Sequence, residues 1–415
     1  MNTLEILSML FATAAVFGWI SSRWLRLPIT IGTMLLTLIV SAALSLLAGR
    51  FPAIHAWAAA LMQQVNFENL ILHGMLPLLL FAGAFLLDLD QLAREKFAIT
   101  LLSLAGTILC FLLVSALMRI CSIGRLPWIE CLIFGALLSP TDPIAVLEML
   151  RRVGVPKRIQ AQLAGESLFN DGIGAVLFIT MIECARGYAP TPAHIAGFLI
   201  AKAGGAILLG LLAARLTSQF MRWVDAYQVD ILFTVALAIG GYALAETLHL
   251  SAPLEAVVAG IALRHFNRGL SRERIAHQSI DGFWAVIDEV QNCVLFVLLG
   301  LETMAISLNA TSVRAGIAAI LAVNLVRLAV VAALLAVLRI CQRGHRSSTF
   351  VLTWGGLRGG LSIALALSVP PSLGGNWIFG ATYLVVVFSI LIQGGSLHLI
   401  MSRRNRARSA THAAI

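Results

Sequence analysis

Ser139-Pro140-Thr141-Asp142-Pro143 interrupts an apolar run, 129–150, that is otherwise long enough to cross a bilayer. Each proline removes a backbone donor and clashes with the preceding turn. Two of them three residues apart predict a broken helix rather than a bent one. Broken helices are tolerated at membrane depth where they line a cavity and offer free backbone groups to a ligand. A structural kink is the plainer alternative, but an aspartate occupies this break, and an ionisable side chain at bilayer depth marks a functional position.

The rest of the chain supports a membrane setting. Of 415 residues, 59% are apolar and 12% charged, against about 45–50% and about 25% in soluble domains. So few charges cannot coat soluble domains of this size. The composition excludes a soluble enzyme, a disordered chain and a nucleic-acid binder. The six cysteines are scattered through or beside apolar runs without CxxC spacing, which fits small packing residues rather than disulfides or a zinc site.

Apolar runs separated by charged or Gly/Pro clusters predict thirteen helices. Their limits are 4–22, 29–48, 70–87, 97–118, 129–150, 163–183, 194–216, 229–249, 253–266, 282–301, 314–340, 348–369 and 378–401. The segment 51–66 adds a partial, interfacial helix. The first run has no basic segment before it and no small-residue cleavage site, so it reads as a span and not as a signal peptide. An odd number of spans puts the termini on opposite sides. With the C-terminus cytoplasmic, 21 of the 29 basic residues fall inside and 5 outside, while Lys202, Arg327 and Arg358 lie within spans. That bias follows the positive-inside rule. The expectation is a single transmembrane unit over 1–401, N-out and C-in, in the inner or plasma membrane. A short basic tail, 402–415, lies at the anionic inner leaflet. The lipid bilayer is the expected partner, with no soluble partner and no nucleic acid.

Two further patterns accompany the first. In the sixth span, Gly165-Glu166-Ser167-Leu168-Phe169-Asn170-Asp171-Gly172 places Glu166 beside Asn170, and Ser167 beside Asn170 and Asp171, at helical spacing. Four oxygen-bearing side chains on one side of a helix suit a hard cation. Gly165, Gly172 and Gly174 leave room for a second backbone. A buried polar network that only joins helices is the structural alternative. In the twelfth span, Trp354-Gly355-Gly356-Leu357-Arg358-Gly359-Gly360-Leu361-Ser362 sets four glycines around an arginine and predicts a second break. It lies seven spans after the first. With spans 1–6 and 8–13 as repeats, that odd offset inverts the second copy, and inverted repeats with matching interrupted helices mark a transporter site near the midplane.

Where two broken helices cross, opposed N-termini leave partial positive charge and opposed C-termini partial negative charge. Asp142 and Arg358 suit these ends respectively. Arg358 suits a pair with Glu166 equally well, and the sequence leaves both open. Lys202 and Arg327 read as snorkelling or carbonyl-binding side chains. Glu148 and Glu255 read as near-interface residues. Asp288 and Glu289, with Asn292, read as a gate or an inter-helix pair.

These patterns together resemble the NhaP-type sodium/proton antiporters, within the larger monovalent cation/proton antiporter family. The resemblance rests on Ser139–Ile144, Gly165–Gly172 and Trp354–Leu361. Weaker matches are Phe283-Trp284, Leu295–Leu301 and Leu80-Phe81 with Gly83. It implies an all-α homodimer with a dimerisation domain and a mobile core, no cofactor, and exchange of Na+, or Li+, for H+. It also implies cation ligands at Asp171, Ser167, Asp142 and the Thr141 carbonyl. A structural Glu166–Arg358 pair is implied as well, with Asn170 holding the carboxylates in place. Asn170, where electrogenic relatives carry a second aspartate, is similar to the electroneutral branch, one ion for one proton. The chain departs from many relatives at Ala82, where they carry a glutamate that contributes to the ion site through water.

Burial and a second carboxylate each favour the protonated form of a carboxyl group, while a nearby cation opposes this. Asp171 is then expected to bind either a proton or a dehydrated cation, and competition at one site with alternating exposure gives exchange. A K+/H+ antiporter of the same fold is the alternative in cation. From other classes, an intramembrane aspartyl protease using Asp142 and Asp171 is expected to show Tyr-Asp and Gly-x-Gly-Asp contexts, which are absent. A cation channel would pass current without stoichiometric proton movement.

Overall fold

The structure, a computed structural model, describes residues 3–25, 29–48, 69–122, 125–142, 146–147, 150, 154–187, 191–224, 226–268, 274–302, 310–341 and 348–396. The expected interfacial helix at 51–66, Glu148, the last residues of the final span and the basic tail lie outside them.

Fifteen helices are formed from the described residues, and the thirteen apolar runs fall on helical segments. In chain order these are α1 (Thr3–Ile20), α2 (Ile29–Ala48), α3 (Leu76–Phe85) and α4 (Leu89–Arg94). Next come α5 (Lys96–Cys121), α6 (Trp128–Leu137), α7 (Lys157–Ala185) and α8 (Pro192–Met221). They are followed by α9 (Tyr227–Thr247), α10 (Ala252–Phe266), α11 (Arg274–Glu302) and α12 (Ala310–Cys341). The last are α13 (Thr349–Trp354), α14 (Gly360–Leu367) and α15 (Gly375–Phe388). Among the described residues, six helices are unbroken, long and apolar enough to span a membrane: α5, α7, α8, α9, α12, and α15 with its π-helical extension to Gly394. The two runs expected to break do break. α6 stops at Leu137 and regular helix is next seen at Val146, while α13 and α14 are separated by Gly355–Gly359.

Two compact units share the chain. The first comprises Met1–Leu89 and Asp171–Ile306, the second Asp90–Asn170 and Ser307–Ile415. α7 begins in the second and ends in the first.

In the first unit, α10 is the packing centre. It lies against α3, α8 and α9, while α11 packs on α2 and α3. Close approach comes from small residues. A Cβ added at Gly260 would stand 2.9 Å from the Phe81 carbonyl oxygen, and one at Gly210 would stand 2.9 Å from that of Glu255. An aromatic plug fills the space below, with Phe81 and Trp284 ring centres 4.8 Å apart and the indole N–H donating to Thr234 Oγ1 at 3.0 Å. Ala82 is fully buried in this cluster. Ser41 Oγ ties α2 to α11 by donating to the Gly300 carbonyl.

In the second unit, α12 packs on α5, α13 and α15, and α14 packs on α15 and α6. Gly165 of α7 meets Ile99 and Leu92, where an added Cβ would stand under 3.0 Å from both side chains. Outside the apolar interior, Glu95 joins the first turn of α7 to α5 by accepting from Arg158 at 2.7 Å and Gln162 at 2.7 Å.

Candidate ion-binding site

The two breaks meet in the second unit. Past Leu137, the chain turns at Leu138 and Ser139 and leaves helical pairing through Thr141 and Asp142, and the Asp142 N–H donates to the Leu357 carbonyl at 2.7 Å. This is a single antiparallel bridge between the unwound segments. It satisfies backbone groups that the prolines and glycines had released from helical pairing.

Charge follows the ends of the half-helices. Arg358 is 2% exposed, and its guanidinium donates to the Ser139 carbonyl at 2.8 Å and to that of Pro140. Those oxygens lie just past the C-terminal end of α6, where partial negative charge collects. Asp142 stands at the other pole. A Cβ at Gly359 would collide with its carboxylate, so the acid lies against the residue that precedes the first turn of α14. Only glycine lets an acid this close to that helix N-terminus, where a negative charge is favoured.

The sixth-span motif grips the first break. Ser167 Oγ donates to the Thr141 carbonyl. Asn170 Oδ1 accepts from the Thr141 N–H at 3.1 Å, and its Nδ2 donates to Thr141 Oγ1 at 2.8 Å. Ser167 and Asn170 are therefore both spent on one residue of the unwound chain, on the face that helical spacing predicts. Asp171 lies one turn beyond Ser167 on the same face of α7. It is partly exposed, whereas Glu166, Ser167 and Asn170 are buried.

One expected pairing is corrected. Glu166, 1% exposed, forms its ion pair with Arg327 of α12 and not with Arg358. Arg327 also donates to the Leu352 carbonyl at 3.0 Å, and its guanidinium packs 2.9 Å from where a Cβ would stand at Gly356. It is neither a snorkelling side chain nor only a carbonyl ligand. The fully buried carboxylate takes the arginine on the neighbouring helix, while α6 carbonyl ends already occupy Arg358. The sequence carried a usable signal, since a buried glutamate needs a cation and Arg327 sits in the most apolar of contexts.

A second network went unread in the sequence. The Arg358 N–H donates to Ser389 Oγ at 2.9 Å, Ser389 Oγ to Gln393 Oε1 at 2.5 Å, and Gln393 Nε2 to Asn324 Oδ1 at 2.6 Å. Ser389 and Gln393 lie in the π-helical turn Ser389–Gly394, an irregularity often found at functional sites.

Other ionisable residues fall elsewhere. Lys202, read as snorkelling, pairs with Glu183 at 2.9 Å. Glu255, read as near-interface, is fully buried. Asn292 donates to the Asp288 carbonyl at 2.7 Å and carboxylate at 3.2 Å within α11, and Glu289 is exposed.

Two half-helices that meet at their breaks, one end answered by the half-buried Asp142 and the other by the buried Arg358, define a helical secondary transporter of the broken-helix class. Residues 11–403 match the family described as sodium/hydrogen exchanger, transmembrane, and the chain belongs to it. It is 36% identical to the Na+/H+ antiporter NhaP of Pseudomonas aeruginosa, over 96% of each chain. It is 30% identical to the Na+/H+ antiporter NhaH of Halobacillus dabanensis, over 96% of this chain and 97% of that one. Among solved structures, the sodium proton antiporter MjNhaP1 of Methanocaldococcus jannaschii superposes with a TM-score of 0.73 at 20% identity, over 95% of this chain and all of that one. That structure has the same fold.

Proposed function

We propose that this membrane protein is a secondary antiporter that exchanges Na+, or Li+, for H+, one for one, by competition at Asp171. The Na+/H+ antiporters NhaP and NhaH match it along nearly their whole length, which supports the reaction class.

The observation that carries the mechanism is the Ser167–Thr141 hydrogen bond inside the first break. A hydroxyl and a main-chain carbonyl already lie within reach of each other there, one turn from Asp171. Rotating the Ser167 O–H away turns both oxygens into ligands for a hard cation. Asp171 supplies the charge and Asp142 completes the shell. When the cation leaves, Asp171 takes a proton and the Ser167 hydroxyl returns to the carbonyl. Proton and cation thus exclude one another without a separate proton path. Asn170 fixes the Thr141 backbone throughout, and the Glu166–Arg327 pair holds the helices around it. Arg358 is structural in this scheme, compensating the α6 carbonyls. Ala82 adds no ligand, so the shell is made without an acid from α3. No cofactor is used. The protein works as a homodimer in the cell membrane, N-terminus outside and C-terminus cytoplasmic, the arrangement favoured by its 21 inward basic residues of 29.

Everted vesicles carrying a pH-sensitive dye test the proposal when sodium, lithium or potassium chloride is added separately. Dequenching by sodium and lithium is expected. A response to potassium alone would change the cation, and no response to any salt would sink the antiporter assignment.

A further inference from the structure

Glu255 has no role in that scheme, yet it is the most enclosed carboxyl group among the described residues. It is 0% exposed, and neither carboxyl oxygen has a hydrogen-bond partner. It occupies the first turn of α10, where α8 and α9 close on it. A Cβ at Gly241 of α9 would stand 3.0 Å from its carboxyl carbon, and Gly210 of α8 packs on its backbone. Those two glycines make a socket cut to the shape of the glutamate.

Among the described residues, no counter-charge is seen to reach the socket from the surrounding elements. Lys202 of α8 pairs with Glu183, and Arg215 stacks over Phe266. Glu246 of α9 pairs with His73, and Asp230 opens that helix about three turns from Gly241. Tyr242, beside Gly241, is a phenol that stays neutral in the working range. Arg264 of α10 pairs with Asp281, and α3 carries no ionisable side chain. On α7, the contact with Leu254 is made by Gly172, and Asp171 precedes it. A bare carboxylate stripped of water, hydrogen bonds and cations is far costlier than the neutral acid.

We infer that Glu255 is a second proton-binding site, holding its proton as the neutral acid and setting the packing of α8, α9 and α10. Its proton is resident and not exchanged. Ionisation at alkaline pH places an unanswered charge in the glycine socket and forces the three helices apart, so the residue imposes an alkaline limit on activity.

Infrared difference spectra of wild type and Glu255→Gln, reconstituted in liposomes at neutral pH, test this without any transport readout. A protonated-carboxyl stretch present in wild type and missing from the variant is expected, and it should persist in an Asp171→Asn background. Glu255→Gln should keep exchange at neutral pH and lose several-fold less activity than wild type on raising the pH. Identical spectra for wild type and variant overturn the inference. Should the variant fail to fold, wild type is treated with dicyclohexylcarbodiimide, which requires a protonated carboxyl group. The acid oxygen bonds to the carbodiimide carbon as its proton passes to nitrogen, and the adduct rearranges to a stable N-acylurea. A Glu255 adduct supports the resident proton; an unmodified Glu255 beside labelled Asp171 overturns it.

Discussion

Arg327 sits in Leu321–Val331, a stretch with no other charge, and its partner Glu166 is 161 positions away in the chain. No local pattern announces that pair, which is why the sequence points Glu166 to Arg358 and leaves Arg327 as a snorkelling or carbonyl-binding side chain. Ser167, Asn170 and Thr141 were legible because i, i+3 spacing on one helix and a proline-broken neighbour are local facts. Glu255 was misjudged for the opposite reason. A carboxylate near a chain bend looks solvated, and only the facing glycines of two other helices enclose it. Removing one member of a buried ion pair leaves an uncompensated charge, so Arg327→Leu should cost about 3–5 kcal/mol. Arg327→Leu with Glu166→Leu should recover most of that loss, as read by thermal unfolding in detergent. At the ion site, Asp171→Asn should abolish dye response while leaving the unfolding temperature within error. Ser167→Ala should keep exchange but weaken apparent sodium affinity roughly tenfold, about 1.4 kcal/mol.

Between helices, glycine decides how closely backbones approach, and its positions divide into occupied and empty surroundings. Gly359 is pressed against Asp142, whereas Gly240 on α9 has nothing within 4 Å of an added Cβ. Gly359→Ala should therefore push Asp142 from the α14 N-terminus, costing about 1–3 kcal/mol and most of the exchange activity. Gly240→Ala should be neutral or stabilising by up to about 1 kcal/mol, since alanine is the better helix former. Unfolding curves for the two variants, with vesicle assays alongside, separate the cases. The breaks themselves could be read from Pro140, Pro143 and the four glycines around Arg358. The backbone bridge from Asp142 to Leu357 could not, because it joins residues that no spacing rule relates.

Across the whole chain, apolar runs and basic residues carry most of what the sequence makes plain, since lipid imposes length and the membrane potential side imposes charge. The division into two units was not visible in this way. Its boundary falls between Asn170 and Asp171, inside one continuous helix, where no linker composition marks it. The proposed topology predicts a fluorescent C-terminal fusion and an inactive C-terminal alkaline phosphatase fusion. The reverse pattern would overturn the orientation.

Within α7, Asp171 lies fourteen residues from Lys157 and fourteen from Ala185. At about 1.5 Å per residue, each end of the helix is about 21 Å away, in a rod that exceeds the roughly 30 Å hydrocarbon layer. Asp171 is thus the midpoint of its own rod, equally far from the two helix ends. Under the proposed exchange at Asp171, the path along α7 has the same length from either end. Such a seat has no built-in forward direction, and the sense of net exchange is left to the two gradients.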